Sequence, residues 1–198
     1  LIENAADAEA SKICINTTKD TLTAIDNGAG FQCTLKDGLT FSRTSKTNQK
    51  DQTGVKGTGL KSSMGAICRG MLFLFTISED MEQCASIDYS KIYNNESSPL
   101  NEVKEFYTTI SNEDPMYLEL KNELMDSLSE MSSNTGTILK AINCHWGKYK
   151  TAGKFGKAIN PGGSPRTHFS YLMRYRLEKM QVEINNIHLD AQGPGFTE

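Results

Sequence analysis

The chain has 198 residues, 37% of them hydrophobic and 23% charged, with a formal net charge of −3; that is enough for one domain, or a domain with an appendage, of globular composition. No apolar run approaches the roughly 20 residues of a membrane-spanning helix, and no stretch reads as a signal peptide. Five scattered cysteines (Cys14, Cys33, Cys68, Cys84, Cys144) contain no C-x-x-C pair, which argues against a disulfide framework and for free buried thiols in a reducing, intracellular compartment.

Leu1 to Ser11 reads as the end of a helix, and the abrupt start inside it leads us to expect a preceding N-terminal segment. Ile13 to Asn16 and Leu22 to Ile25 are short strands joined by Thr17-Thr18-Lys19-Asp20. Asp26 opens a Gly-rich turn, Leu35 to Phe41 reads as a short helix, and polar Ser42 to Gly54 as a mobile loop. A helix is expected over Leu60 to Ile67. Met71 to Ile77 and Cys84 to Tyr89 read as antiparallel strands joined by Glu79-Asp80-Met81-Glu82.

Asn94 to Ser98 reads as a loop. Pro99 to Ile110 and Pro115 to Met131 read as helices, each with proline near its start. In the second, Leu118, Leu120, Leu124, Met125 and Leu128 form an apolar stripe assigned to the core. Thr137 to Ile142 is a strand, 145–165 a long loop, partly disordered, and Arg166 to Leu177 a helix. Met180 to Ile184 and Ile187 to Leu189 pair as a hairpin about Asn185-Asn186. There is no internal repeat. Charge is uneven: Ser78 to Glu130 holds 13 acidic and 3 basic residues, Lys140 to Lys179 9 basic and 1 acidic. The basic stretch fits either a phosphate-rich partner or a solvated loop and helix face.

Three segments carry candidate chemistry. Asn4 and Asp7 lie three apart on one helix face, and an Asn carbonyl oxygen suits Mg²⁺; alone, the segment is an alanine-rich surface helix. Asp26-Asn27-Gly28-Ala29-Gly30 combines a carboxylate able to accept an exocyclic amine with glycines that let the backbone approach a flat ring; alone, it is an Asn-Gly turn. Gly54 to Ser62 is neither a Walker A loop, because Leu60 separates Gly59 from Lys61, nor a dinucleotide fingerprint, because Ser62 takes the third glycine position. It can still cradle phosphate with the N–H groups of Gly57, Thr58, Gly59 and Leu60 at a helix start, with Lys61 nearby. His145 beside Cys144 has no second ligand pair spaced to bind zinc.

In this order and spacing the three segments resemble the ATP site of the GHKL superfamily: gyrase, the ninety-kilodalton heat-shock chaperones, histidine kinases, MutL and the Microrchidia (MORC) ATPases. The resemblance implies an α+β, two-layer sandwich of the Bergerat type, a mostly antiparallel sheet with helices on one face. It implies ATP and Mg²⁺ as ligands, with Asn4 on the metal and Asp7 and Ala8 beside it. Asp26 would take the adenine amine, within a turn of Gly28, Gly30 and Phe31, and Thr137 would stand at the back of the pocket. Gly54, Val55, Lys56, Gly57, Thr58, Gly59 and Leu60 would close over the phosphates with Lys61, the catalytic candidate. The water-activating Glu would lie four before Asn4, at the position preceding Leu1; adjacent Glu3 points elsewhere.

The likeness is greatest to MORC-type ATPases. Phe41-Ser42-Arg43-Thr44-Ser45-Lys46 resembles their Phe-Gly-Arg-Ser-Ser-Lys element, which adds Ser45 and Lys46 to the site. Leu60-Lys61-Ser62-Ser63-Met64 resembles the run after their lid, and Ser170 to Tyr175 with Met180 to Ile184 their closing helix and hairpin. Ser42 and Ser63 depart from glycine in that pattern. The implied organisation is one ATPase domain over 1–190, with a lid at about 42–60, and a linker starting at 191–198. The implied function is a hydrolysing module whose lid closure drives an ATP-dependent homodimer, a clamp on DNA or chromatin in the nucleus, with no membrane partner. A nucleotide-binding module without hydrolysis, and a chaperone-like clamp on proteins, are the alternatives.

Overall fold

In a computed structural model of the chain, residues 1–39, 59–94, 107–146 and 177–189 are described. They form, in chain order, α1 (Ile2–Asp7), β1 (Lys12–Thr17), β2 (Thr21–Asp26), α2 (Leu35–Leu39), α3 (Gly59–Ile67), β3 (Met71–Ile77), β4 (Glu82–Asp88), α4 (Tyr89–Asn94), β5 (Tyr107–Thr109), α5 (Pro115–Glu130), β6 (Gly136–Ile142), β7 (Gln181–Ile184) and β8 (Ile187–His188). The strands make one sheet in the order β5-β4-β3-β6-β2-β1-β7-β8. Every neighbouring pair is antiparallel except β1 and β7. This is the mixed α/β architecture expected of a Bergerat fold.

Alternation along the strands separates two apolar faces. Ile13, Ile15, Leu22, Ala24, Leu72, Leu74, Leu139 and Ala141 pack with Ile2 and Ala5 of α1, Leu35 and Leu39 of α2 and Met64 of α3. Ile25, Phe75, Ile77, Cys84 and Ile138 point the other way, onto Tyr117, Leu120, Leu124 and Leu128 of α5. Helices α1 to α3 thus share one face, while α5 covers the other; the expectation of helices on one face only needs this addition. Leu120, Leu124 and Leu128 are each 0% exposed, a burial worth about 1.5–3 kcal/mol apiece. The start of α5 is set locally: the Asp114 carboxylate accepts the Met116 N–H at 2.8 Å and Pro115 takes the first turn, where its missing N–H costs nothing.

Three sequence expectations are corrected. Leu118 and Met125, read as part of the α5 core stripe, are 50% and 47% exposed. Each lies about 100° around the helix from its buried neighbour, Tyr117 or Leu124, and so outside the stripe. The helix expected over Pro99 to Ile110 is not helical at its end, where Tyr107–Thr109 is a strand paired with Ala85 to Ile87. Aromatic and β-branched side chains suit that edge position, and residues 95–106 lie outside the described residues. Tyr89 opens α4 rather than closing β4.

The closing hairpin forms as expected about Asn185 and Asn186, both at positive φ (51° and 60°), as a two-residue hairpin turn demands. The segments expected as a lid (about 42–60), a helix (166–177) and a linker (191–198) lie wholly or almost wholly outside the described residues. No described helix is long and apolar enough to cross a membrane.

Candidate functional site

The turn after β2 is clamped from three sides. The Asn27 side-chain oxygen accepts the Ser11 and Lys12 N–H groups at 3.0 and 2.8 Å, tying the turn to the start of β1. Ala29 N–H donates to the Ala8 C=O at 2.9 Å, tying it to the end of α1. Phe31 N–H donates to the Thr76 hydroxyl at 3.0 Å, tying it to β3. Two glycines make the path possible. A Cβ on Gly28 would sit 2.8 Å from both the Cβ and the carbonyl oxygen of Ala8, so no larger residue lets α1 pack this close. Gly30 has φ +71°, and a Cβ there would lie 2.4 Å from the Ile77 carbonyl oxygen. The closeness of Gly28 therefore serves the packing of α1.

Beneath this turn a polar row crosses four strands. Asp26 of β2 is in register with Thr137 of β6, Thr137 with Thr76 of β3, and Thr76 with Gln83 of β4. All four share the parity of Ala24, Leu139, Leu74 and Ala85, so all lie on the face that carries α1 to α3. The Thr76 hydroxyl stands 3.2 Å from both the Gly136 carbonyl oxygen and the Thr137 hydroxyl. A carbonyl can only accept, so a Thr76 proton given to it makes Thr137 the donor of the hydroxyl pair. At the end of the row the Gln83 amide accepts Leu35 N–H at 2.9 Å and donates to the Cys33 C=O at 3.0 Å, which fixes the entry to α2.

Asp26 is half-buried at its surface, yet enclosed closely enough that burial pushes its carboxyl up to about 6, against the pull of the Gly28 N–H. That amide donates to one carboxylate oxygen at 3.0 Å. Among the described residues no donor meets the second oxygen. A carboxylate held in low dielectric with one acceptor open is poised for an incoming N–H donor.

The residues named from the sequence fall into three groups. Asp26, Gly28, Gly30, Phe31 and Thr137 come together with Ala8 around the turn. Asn4 and Asp7 stand one turn and one residue before Ala8 on the same helix side. Leu60 packs against the core under α1; Gly59 opens α3 and Lys61 follows in its first turn, the side chain of Lys61 lying outside the described residues together with Ser45, Lys46, Gly54, Val55, Lys56, Gly57 and Thr58. The sequence reading missed Thr76, Gln83 and the clamping role of Asn27. Thr76 had a signal, as the one polar residue in Met71–Ile77.

The donor set suits a hard cation only in part. Among the described residues no group of three or more His, Cys, Asp or Glu could hold a metal ion, and the Asn4 amide makes no hydrogen bond with them. One amide oxygen suffices only for a Mg²⁺ that takes waters and ligand oxygens for the rest of its shell.

A family model described as "Histidine kinase-, DNA gyrase B-, and HSP90-like ATPase" matches residues 1–134. No curated protein matches the chain. Among solved structures it is similar to the N-terminal domain of a DNA repair protein, at 16% identity and TM-score 0.48, over 92% of this chain and 45% of that one. It is also similar to the Aquifex aeolicus MutL ATPase domain complexed with ADP, at 10% identity and TM-score 0.43, over 97% of this chain and 61% of that one. The chain thus spans less than two thirds of either.

Proposed function

The chain belongs to the histidine kinase-, DNA gyrase B- and HSP90-like ATPase family, and from that membership we propose that it binds Mg·ATP around Asp26 as the nucleotide module of a clamp that closes as a homodimer. The observation that carries the proposal is the open acceptor of Asp26, set in the row with Thr137 and Thr76 beneath a turn pinned by α1. Asp26 accepts the exocyclic amine of adenine and rejects guanine, which presents a carbonyl there. Thr137 completes the polar floor, and Thr76 holds the Phe31 amide so that the turn keeps its shape.

Asn4 would supply the protein oxygen to Mg²⁺, with Asp7 beside it. The ion, when bound, neutralises charge on the phosphate oxygens. The sequence assigns the phosphate contacts to the amides of Gly54 to Leu60, with Ser45 and Lys46 ahead of them and Lys61 contributing its charge. Hydrolysis is proposed for a protein that carries a glutamate at the position preceding Leu1. Contacts to the terminal phosphate that form only with the lid closed would favour the closed population with ATP and not with ADP.

The finer assignment is to a MORC-type, nuclear ATPase acting on DNA or chromatin. It rests on Phe41 to Lys46, on Leu60 to Met64 and on the basic run after Lys140. Of that run, Lys140 itself is engaged by Glu119 and Glu123 of α5 at 2.7 and 3.0 Å, so the remaining basic residues would have to carry any DNA contact. Residues 1–190 are assigned to one module, consistent with buried Leu189 at its end, and 191–198 to a linker.

The test is a titration of the full-length protein with non-hydrolysable ATP and GTP analogues in Mg²⁺, read by calorimetry and by mass in solution. We expect saturable binding of the ATP analogue, at least tenfold discrimination against the GTP analogue, and a dimer at saturation. Absence of binding, or equal affinity for both, overturns the assignment of Asp26. A saturated monomer retains the site and removes the clamp. DNA affinity that does not fall with salt removes the DNA partner.

A further inference from the structure

Cys68 and Cys144 face each other across an isolated antiparallel bridge. Its hydrogen bonds run between the flanking residues: Arg69 N–H to Asn143 C=O at 3.0 Å and His145 N–H to Ile67 C=O at 2.7 Å. This is the pattern of a non-hydrogen-bonded pair, whose Cα atoms stand about 4.5 Å apart with both side chains rising on one side. A disulfide spans Cα separations of about 4.4–6.8 Å. The Cys68 S–H donates to the Ile142 C=O and the Cys144 S–H to the Ala141 C=O, both at 3.5 Å. Cys14 is instead in register with Ile25 and Glu183, and Cys84 lies opposite Phe75 on the other face.

We propose that Cys68 and Cys144 form a reversible intramolecular disulfide when the protein meets an oxidising low-molecular-weight disulfide. The bond ties the residue that follows α3 to the residue two beyond the end of β6. One cysteine thiolate attacks the small disulfide, breaking its S–S bond and releasing one thiol. The second cysteine thiolate then attacks the mixed disulfide and releases the other thiol. The two cysteine protons end on the two leaving thiols, and the two electrons lost by the cysteines reduce the small molecule. Burial pushes the Cys144 thiol up to about 12, with the neighbouring Cys68 adding to the rise. Oxidation therefore proceeds slowly, through local opening of the bridge, and accelerates with pH.

The experiment equilibrates the full-length protein in mixtures of reduced and oxidised glutathione, quenches with acid, alkylates in denaturant and maps peptides by mass. The expected result is loss of two alkylatable thiols, a linked pair of peptides carrying Cys68 and Cys144, and full reversal by a dithiol reductant. Cys68→Ala and Cys144→Ala each abolish the two-thiol loss; should either variant fail to fold, the wild-type map decides alone. Cys68 and Cys144 both still alkylatable after equilibration in the oxidised mixture, a linkage of either to any other cysteine, or a glutathione adduct that does not close would overturn the proposal.

Discussion

The Thr76 hydroxyl accepts the Phe31 N–H at 3.0 Å, so a fully buried residue of β3 holds the turn that follows Asp26. Thr76→Val keeps the shape and removes the acceptor. It leaves the Phe31 N–H and the Gly136 C=O without that hydroxyl, a loss of about 1–3 kcal/mol. Thr76→Ser keeps the hydroxyl and loses about 0.8 kcal/mol for its methyl group. Urea unfolding of the two variants checks the order, and a valine variant as stable as the serine one would remove the hydroxyl from this role.

Asp26 ties stability and binding to pH with opposite signs. Its folded carboxyl is raised from 3.8 to about 6, so the folded state holds that proton more tightly than the unfolded chain does. Its contribution to stability is therefore greatest below about 4, falls as pH rises from about 4 to about 6, and stays lost above. Asp26→Asn removes that penalty and should stabilise the unliganded protein at neutral pH by about 1–3 kcal/mol. The Gly28 N–H keeps Oδ1 as its acceptor, so the new amide presents its NH₂ where adenine presents its own. Binding of an ATP analogue should weaken about 10–100-fold. In the wild type that binding should weaken as pH falls below about 6. Thermal unfolding from pH 4 to 8 alongside nucleotide titrations checks both signs; a variant that binds as tightly as the wild type separates Asp26 from the ligand.

The parts of this fold that were legible are those written locally. A short apolar run marks β3, alternating character marks β6, Pro115 marks the start of α5, and Asn185-Asn186 marks the last hairpin. What escaped depends on partners distant in sequence. Tyr107–Thr109 is a strand because β4 offers it an edge, and nothing within those three residues announces that. Thr76 and Gln83 enter the site through register with Thr137 and with each other, which no local pattern encodes. Leu118 and Met125 were misplaced for a simpler reason: the apolar stripe was drawn too wide, while the angular position of each residue decides which of them the sheet covers. The turn of the candidate site was legible in Asp26, Gly28 and Gly30 because those residue types answer steric demands met within one turn.

Gly28 tests the close approach of α1. A Cβ at this position meets both the side chain and the backbone oxygen of Ala8 at 2.8 Å, and backbone cannot swing aside as a long side chain can. Gly28→Ala should push α1 outward at a cost of about 1–3 kcal/mol. Because Asn4 and Asp7 ride on α1, nucleotide affinity should fall as well. Fluorescence titration with a labelled ATP analogue, paired with urea unfolding, reads the two losses. An alanine variant with unchanged affinity would show that α1 can retreat without moving the ligand site.

The opposite face offers a control that separates folding from binding. Leu124 is fully buried between α5 and the sheet, among Phe75, Ile138 and Leu128. The polar row lies on the other side of the same strands. Leu124→Ala leaves a cavity and should cost about 2–5 kcal/mol, lowering the unfolding midpoint by a clear margin. The side chains of the row project from the face opposite that cavity, and strand register carries them across the sheet. At a temperature where the variant is folded, its affinity for an ATP analogue should match the wild type within about twofold, since sites without shared partners behave additively. Unfolding by circular dichroism and binding by calorimetry on the same preparation make the comparison. A variant that is folded yet has lost affinity tenfold would show that the sheet transmits packing on one face to the chemistry of the other.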